Sequence, residues 1–381
     1  MQIYIGQFIE KRSRMTHIYP VRFLMMLCMI FGIGVNAQGQ SAEKINWKNA
    51  QNQNADWYGS SEAIKIADNV LLYQNNNGGW LKNIDMTKEL GDKEKAQLKK
   101  EMYESSGTTI DNGATHTQMK FLAKVYGNSG QDRFKTGFLR GLDYLLEAQY
   151  ENGGWPQFYP IRKGYYEHIT FNDKAIIGVM ELLREVSLGN PPYDFVDELR
   201  CEKSVKAIGK GLAIILKTQI EVDGTLTAWC AQHDKDDLSP AKARAYELPS
   251  LSGYESVDVV NYLIELDQPD AEVRKAIVSA VAWFEEVKIH NKRVDRKMDE
   301  SLPKRYDNVV VEDSEANPIW ARFYEIGTNR PIFVGRDGIV KYKLEEIEHE
   351  RRVGYSYLRN YAEKLLEKDY PEWLEKWGSQ E

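Results

Sequence analysis

A short signature recurs three times along the chain and restricts its architecture more than any other feature. Tyr73-Gln74-Asn75-Asn76-Asn77-Gly78-Gly79-Trp80 returns as Ala148-Gln149-Tyr150-Glu151-Asn152-Gly153-Gly154-Trp155, and in weaker form as Thr218-Gln219-Ile220-Glu221-Val222-Asp223-Gly224. Gln74, Gln149 and Gln219 are separated by 75 and 70 residues, and each follows a helix-forming stretch. Apolar residues recur at helical spacing through 114–126, 134–150, 173–186, 202–219, 256–266 and 271–288. Such a period fits a helical hairpin used about three times, with glycine supplying the left-handed stop. The expected fold is all-α dominated: an incomplete (α/α)3 toroid, with long irregular loops and a few short strands forming a cleft. The loops are 152–170, 221–252 and 292–337, rich in Gly, Pro, Asn and aromatics. Segments of that length in a compact protein usually carry function. Trp80 and Trp155 have two readings, as platforms for a sugar ring or as plugs at helix ends.

The start of the chain is of another kind. Lys11, Arg12, Arg14 and Arg22 precede the apolar run from Phe23 to Val35, and Val35-Asn36-Ala37 is small at its last position. This is the pattern of an export signal, with cleavage expected before Gln38. The apolar run falls short of the roughly 20 residues that span a bilayer, and Leu27 is too large for lipidation at Cys28. The division expected is therefore a signal peptide at 1–37 and a catalytic domain at 38–381, periplasmic or secreted, with no membrane contact once mature. The whole chain of 381 residues carries a net charge of −7, and the leader holds four of the basic residues. An acidic mature protein disfavours a nucleic-acid partner, although a local basic cleft could still take a polyanion. Cys201 and Cys230 remain after cleavage, and one pair of cysteines does not make a disulfide scaffold.

Two segments place an aspartate just ahead of a helix: Thr109-Ile110-Asp111-Asn112-Gly113-Ala114-Thr115 and Phe171-Asn172-Asp173-Lys174-Ala175. Helix capping accounts for such residues in general. In consecutive repeats, however, both would point to the same end of a toroid. Carboxylates paired at one mouth suit calcium, a hard cation that takes oxygen ligands, or the acid and base of a glycosidase. Three arginines in irregular segments, Arg244, Arg322 and Arg336, speak for an acidic ligand, because guanidinium binds carboxylate in planar, bidentate fashion. His116 and His168 read as structural or supporting residues beside the aspartates.

Taken in order, Gly78-Gly79-Trp80, Ile110-Asp111-Asn112-Gly113-Ala114-Thr115, Gly153-Gly154-Trp155-Pro156-Gln157, Phe171-Asn172-Asp173, Arg244-Ala245-Tyr246-Glu247, Arg322-Phe323-Tyr324 and Gly335-Arg336-Asp337-Gly338 resemble the pectate lyases of polysaccharide lyase family 10. The resemblance runs through nearly all of the mature chain. It implies calcium-dependent β-elimination of polygalacturonate. It also implies Asp111 and Asp173 as calcium ligands, Arg244 as the base, and Arg322 and Arg336 as carboxylate binders, with Asn112, Lys82 and Trp155 also touching substrate. Leu81 departs from the pattern, since a proline would be expected after Trp80 as Pro156 follows Trp155. The expected partner is an oligogalacturonide, and the protein is expected to act as a monomer. The competing readings are a glycoside hydrolase on the same toroid, with Asp111 and Asp173 as acid and base, and a non-catalytic glycan-binding protein.

Overall fold

The computed structural model describes residues 45–103 and 106–378. The expected leader at 1–37 lies outside the described residues. Seven helices carry the architecture: α1 (Ser61–Leu72), α2 (His116–Ser129), α3 (Asp132–Glu147), α4 (Ala175–Leu188), α5 (Glu198–Thr218), α6 (Glu255–Ile264) and α7 (Ala271–Glu286). Three antiparallel hairpins result, α2 with α3, α4 with α5, and α6 with α7, and α1 packs against the first. Across hairpins α2, α4 and α6 touch in series as an inner row, while α1, α3, α5 and α7 form an outer row. This is the incomplete (α/α)3 toroid that the repeat implies.

Burial follows the rows. Outer helix α1 buries Ala63, Ile66, Ala67 and Val70, one stripe at helical spacing. Inner helix α4 buries Ala175 through Met180 without a break, then Leu182, Leu183 and Val186, because protein surrounds it on nearly every side. A single hydrophobic cluster runs from Ala50 to Trp373. Cys201 and Cys230 are buried within it as free thiols. Among the described residues no helix is long and apolar enough to cross a membrane.

The repeated signature is a device for satisfying the ends of the outer helices. A helix leaves its last carbonyls without partners, and a buried carbonyl without a donor costs on the order of 1–3 kcal/mol. At the end of α1 the Gln74 amide donates to Gly78 O in its own loop and to Gly137 O in the neighbouring outer helix, at 2.9 and 2.8 Å. Gln149 does the same toward Gly153 and Ala207, and Gln219 toward Thr227 and Ala276. Each glutamine thus ties one outer helix to the next. The last-turn carbonyls themselves are capped by tryptophans: the indole N–H of Trp80 donates to Val70 O and that of Trp155 to Leu145 O, both at 2.8 Å. Trp229 serves Ile215 O and Trp320 serves Phe284 O in the same way. Gly78 and Gly153 have φ of 94° and 104°, and a Cβ there would lie 2.2 Å from Arg140 O and 2.3 Å from Lys210 O. Only glycine fits these turns.

Side-chain caps occur only in the outer row among the seven helices. In α1, α5 and α7 the side chains of Ser60, Asp197 and Asp270 cap the first turn, and α3 has no such cap. The inner helices α2, α4 and α6 have no side-chain cap. Because each hairpin is antiparallel, the inner N-termini share one mouth with the outer C-termini and the loops that join them.

The segment 292–337 is less irregular than its composition suggests. Lys292–Met298 pairs antiparallel with Tyr306–Glu312 over seven residues each. Val294 and Val310 pack against the core, and the charged residues between them mask the alternation in the sequence. The remaining strands are two residues long. Replacing Gln219, which is buried, by leucine should keep the volume but leave the Thr227 carbonyl without its donor and remove the second donor on Ala276 O. Chemical denaturation is expected to show a loss of about 1–3 kcal/mol, and unchanged stability would contradict the tie between α5 and α7.

Candidate active site

Ahead of α2 and α4 the chain makes the same single 3-10 turn twice, at Asp111–Gly113 and Asn172–Lys174. In each, the second residue is left-handed, Asn112 at φ 51°, ψ 36° and Asp173 at φ 48°, ψ 38°. Asn and Asp tolerate that region better than other side chains. The repeat equivalents are therefore Asp111 with Asn172 and Asn112 with Asp173. Each turn offers one carboxylate and one amide, in opposite order, and the two turns pack against one another. Neither aspartate caps its helix, so the capping explanation falls away for both.

Between the turns lies a pocket of about 80 Å³ lined by Lys82, Asp111, Asn112, Gln157, Tyr165, Asn172, Asp173, Arg244 and Glu247, among others. Asp111 is nearly inaccessible, at 2% exposure. Its Oδ1 accepts from the Asn112 N–H at 2.9 Å, and its Oδ2 accepts from the Gln157 amide at 2.7 Å and from the Lys82 ammonium. Asp173 is half-open, and its Oδ2 accepts from the Asn172 amide at 2.9 Å. Burial raises the Asp173 pKa, and Asp111 adds to the rise while Arg322 opposes it. Asn112 donates to Asn83 at the rim.

The three arginines have separate places. Arg244 lines the pocket and forks Glu247 through Nε and Nη2, the former at 2.7 Å. Its side chain is 41% exposed while that of Glu247 is 3% exposed. Donation to the Glu247 carboxylate raises the Arg244 pKa against the effect of burial. Glu247 also accepts from the Tyr355 hydroxyl at 2.9 Å. Arg322 is buried behind the second turn. Its Nη2 donates to Glu255 and, at 3.2 Å, to Asn172 Oδ1, and lies 3.7 Å from Asp173. Tyr254 and Tyr355 stack on its guanidinium at 4.5 Å, and its Nε, although buried, has no partner. Burial works against the Arg322 charge, but Glu255 together with Tyr355, Tyr361 and Asp173 outweighs it, and the guanidinium is held above its usual pKa. Arg336 is not in this pocket. It is exposed, forks Glu350 at 3.0 Å, and reaches the Arg244 loop only through the Tyr246 ring, 5.8 Å away.

Trp155 corrects the expectation drawn for it. It is fully buried and its N–H is used at the end of α3, so it presents no face to a sugar. Trp80 is buried in the same way. Sequence reasoning passed over Glu247, Glu255, Gln157 and Tyr165. Glu247 stood three residues from Arg244, a spacing that brings the two together in a tight loop. Glu255 has no such signal, since its partner Arg322 is 67 residues away. Burial pushes His116 down to about 3, and its ring sits against Gly178, where a Cβ would lie 2.5 Å away. It is a neutral packing residue at working pH. His168 lies 3.7 Å from Asp234, away from the aspartate pair.

Among the described residues no group of three or more His, Cys, Asp and Glu is arranged to hold a metal. The pocket nevertheless fits a hard divalent cation in part. Two carboxylates with side-chain amides beside them line it, without thiol or imidazole, and burial, reinforced by Asp111, raises Asp173. Calcium takes roughly 6–8 oxygens, so a ligand would have to supply the rest.

Stacked helical hairpins whose common mouth holds a carboxylate pair beside arginine and lysine form a cleft suited to an acidic ligand. The family model for pectic acid lyases matches residues 74–366. Among solved structures, the family 10 polysaccharide lyase from Cellvibrio cellulosa is 35% identical, with a TM-score of 0.71 over 85% of this chain and 95% of that one. A variant of that enzyme in complex with trigalacturonic acid is 35% identical, with a TM-score of 0.70 over 85% of this chain and 96% of that one. No curated protein matches by sequence. The chain belongs to the pectic acid lyase family, the family 10 polysaccharide lyases. The hydrolase and non-catalytic readings give way to a lyase.

The raised Asp173 pKa has a sign that can be tested. A carboxyl whose folded pKa lies above its unfolded value stabilises the fold at low pH, and that contribution is lost as pH rises through the folded value. Asp173→Asn should therefore raise the melting temperature of chelator-treated protein at neutral pH. The gain should fade as the pH falls toward the ordinary aspartate value of 3.8. A lower melting temperature at neutral pH would contradict this electrostatic account.

Proposed function

We propose that this lyase cleaves α-1,4-linked polygalacturonate by calcium-assisted β-elimination, yielding 4,5-unsaturated oligogalacturonides. The observation that carries the reading is the pairing of Asp111 and Asp173 on two matched turns that face Arg244 across one pocket. The C5 proton of a galacturonate is acidic only because a carboxylate is attached to C5. Calcium, when bound, would neutralise that carboxylate and stabilise the enolate-like charge that develops. Asp111 and Asp173 are the residues to hold it, and so they serve the cation rather than the proton.

Arg244 takes the C5 proton. The C–H electron pair becomes the C4–C5 double bond as the C4–O bond breaks, and the departing oxygen leaves with a proton from water. Guanidinium ordinarily stays protonated below pH ~12, and Glu247 raises the Arg244 pKa further in the ligand-free protein. Positive charge brought close by Lys82 and a bound cation works in the opposite direction, so turnover should climb toward alkaline pH. Lys82 and Asn112 line the pocket where they can meet the substrate. Arg322 keeps Asp173 and Asn172 in place from behind, and Arg336 can reach a sugar carboxylate only from the outer rim.

Incubation with polygalacturonate and calcium is expected to give the ultraviolet absorbance of an unsaturated uronate, and EDTA should abolish it. New reducing ends without that absorbance would instead indicate hydrolysis. Arg244→Ala should lose turnover while calorimetry shows near-normal oligogalacturonate binding; appreciable residual turnover would refute Arg244 as base. Export is part of the same proposal. N-terminal sequencing of the mature protein should begin at Gln38, and retention of residues 1–37 would exclude a cleaved leader.

A further inference from the structure

Arg244, Arg322 and Arg336, and Arg351 beside the last of them, are neutralised from within. Arg244 forks Glu247, Arg322 is held by Glu255, and Arg336 and Arg351 share Glu350. Arg162 differs from them. Among the described residues it pairs with no carboxylate, and its guanidinium rests against two aromatic rings, 5.3 Å from the centre of Phe158 and 5.1 Å from that of Tyr166.

The position of those rings ties Arg162 to the pocket. Phe158 forms a bridge with Thr109, two residues before Asp111, and the Lys82 ammonium lies 5.7 Å from the same ring. Tyr166 packs at a tilt against Tyr165 with centroids 4.0 Å apart, and Tyr165 lines the pocket beside Arg244. The loop that carries Arg162 is pinned at its base by Gln157 N–H to Tyr166 O at 3.0 Å. It is pinned further by Tyr150 Oη to Glu167 O at 2.9 Å and by Gly164 N–H to Glu167 Oε2 at 3.2 Å. An unpaired guanidinium is thus held one aromatic ring away from the lysine on Asp111, on a wall that continues the cleft.

We infer that Arg162, held in the corner between the Phe158 and Tyr166 rings, binds the carboxylate of a galacturonate unit adjacent to the one being cleaved. The inference rests on the lyase reading above. Polygalacturonate carries a carboxylate on every unit, so a cation displaced from the reacting centre along the cleft meets a neighbouring unit. Arginine stacked on aromatic faces loses less freedom when it binds a planar anion than a free side chain would. The free fork is complementary to carboxylate and indifferent to its methyl ester, which carries no charge.

Arg162 would be a positioning residue, distinct from the groups at the reacting atoms. Arg162→Ala should raise KM for polygalacturonate about tenfold with kcat within about twofold of wild type, and Arg162→Lys should recover part of the loss. The penalty should shrink as the substrate is progressively methyl-esterified, an outcome that a merely structural role of the loop would not produce. Calorimetric titration with hexagalacturonate reads the same contact without turnover, and about tenfold weaker binding is expected. An unchanged KM and affinity, or a penalty independent of esterification, would overturn the assignment. Wild-type protein that forms no unsaturated product would overturn the lyase reading instead, and the hexagalacturonate titration would still judge Arg162.

Discussion

The carbonyls left open at the ends of the outer helices are the constraint on which the rest of the structure depends. Each outer helix stops at the mouth of the toroid, where its last carbonyls would be buried without donors. Just past those ends, Gln74, Gln149 and Gln219 tie each outgoing loop to an interior carbonyl of the neighbouring outer helix. Trp80, Trp155, Trp229 and Trp320 close the same ends with their indole N–H groups. The outer helices are thereby locked in sequence, and the loops that leave them are delivered to the inner helix starts at one fixed height. The matched turns at Asp111 and Asp173 lie there because the scaffold repeats.

Electrostatics then separates the scaffold from the chemistry. The inner helices begin without side-chain caps, which leaves their entry turns free to present carboxylates to the pocket. The arginines close to these carboxylates are held by glutamates of their own: Arg244 by Glu247 and Arg322 by Glu255. Such forks fix guanidinium planes before a ligand arrives, so that less ordering is left to be done on binding. They also keep the cleft from repelling its own helices. Removing one partner of the buried Arg322–Glu255 pair would strand a charge in the interior, the costly way to break such a bridge.

Much of this was legible in the sequence, for identifiable reasons. The toroid could be read because its helix stops use the same residues at a regular interval, and Asp111 and Asp173 because each stands just ahead of a helix in consecutive repeats. Trp155 was misread as a substrate contact since a tryptophan after Gly-Gly serves a sugar or a helix end equally well, and only burial decides. Arg336 was grouped with Arg244 on residue type, yet the fold sets it on the outer rim with Glu350. Glu255 was invisible because its importance comes from Arg322, which the fold brings to it from a distant segment. The crossed equivalence of Asp111 with Asn172 was hidden by the shared letter; backbone angles, not residue identity, define which positions repeat.

The central claim is that Asp111 and Asp173 form half of a calcium site that an oligogalacturonate completes. Calcium titration of the Arg244→Ala protein, followed by calorimetry with and without trigalacturonate, tests it most directly. The account predicts weak calcium binding by the protein alone and much tighter binding once the sugar is present, with the gain lost in a protein that also carries Asp173→Asn. Equal calcium affinity with and without the sugar would contradict it.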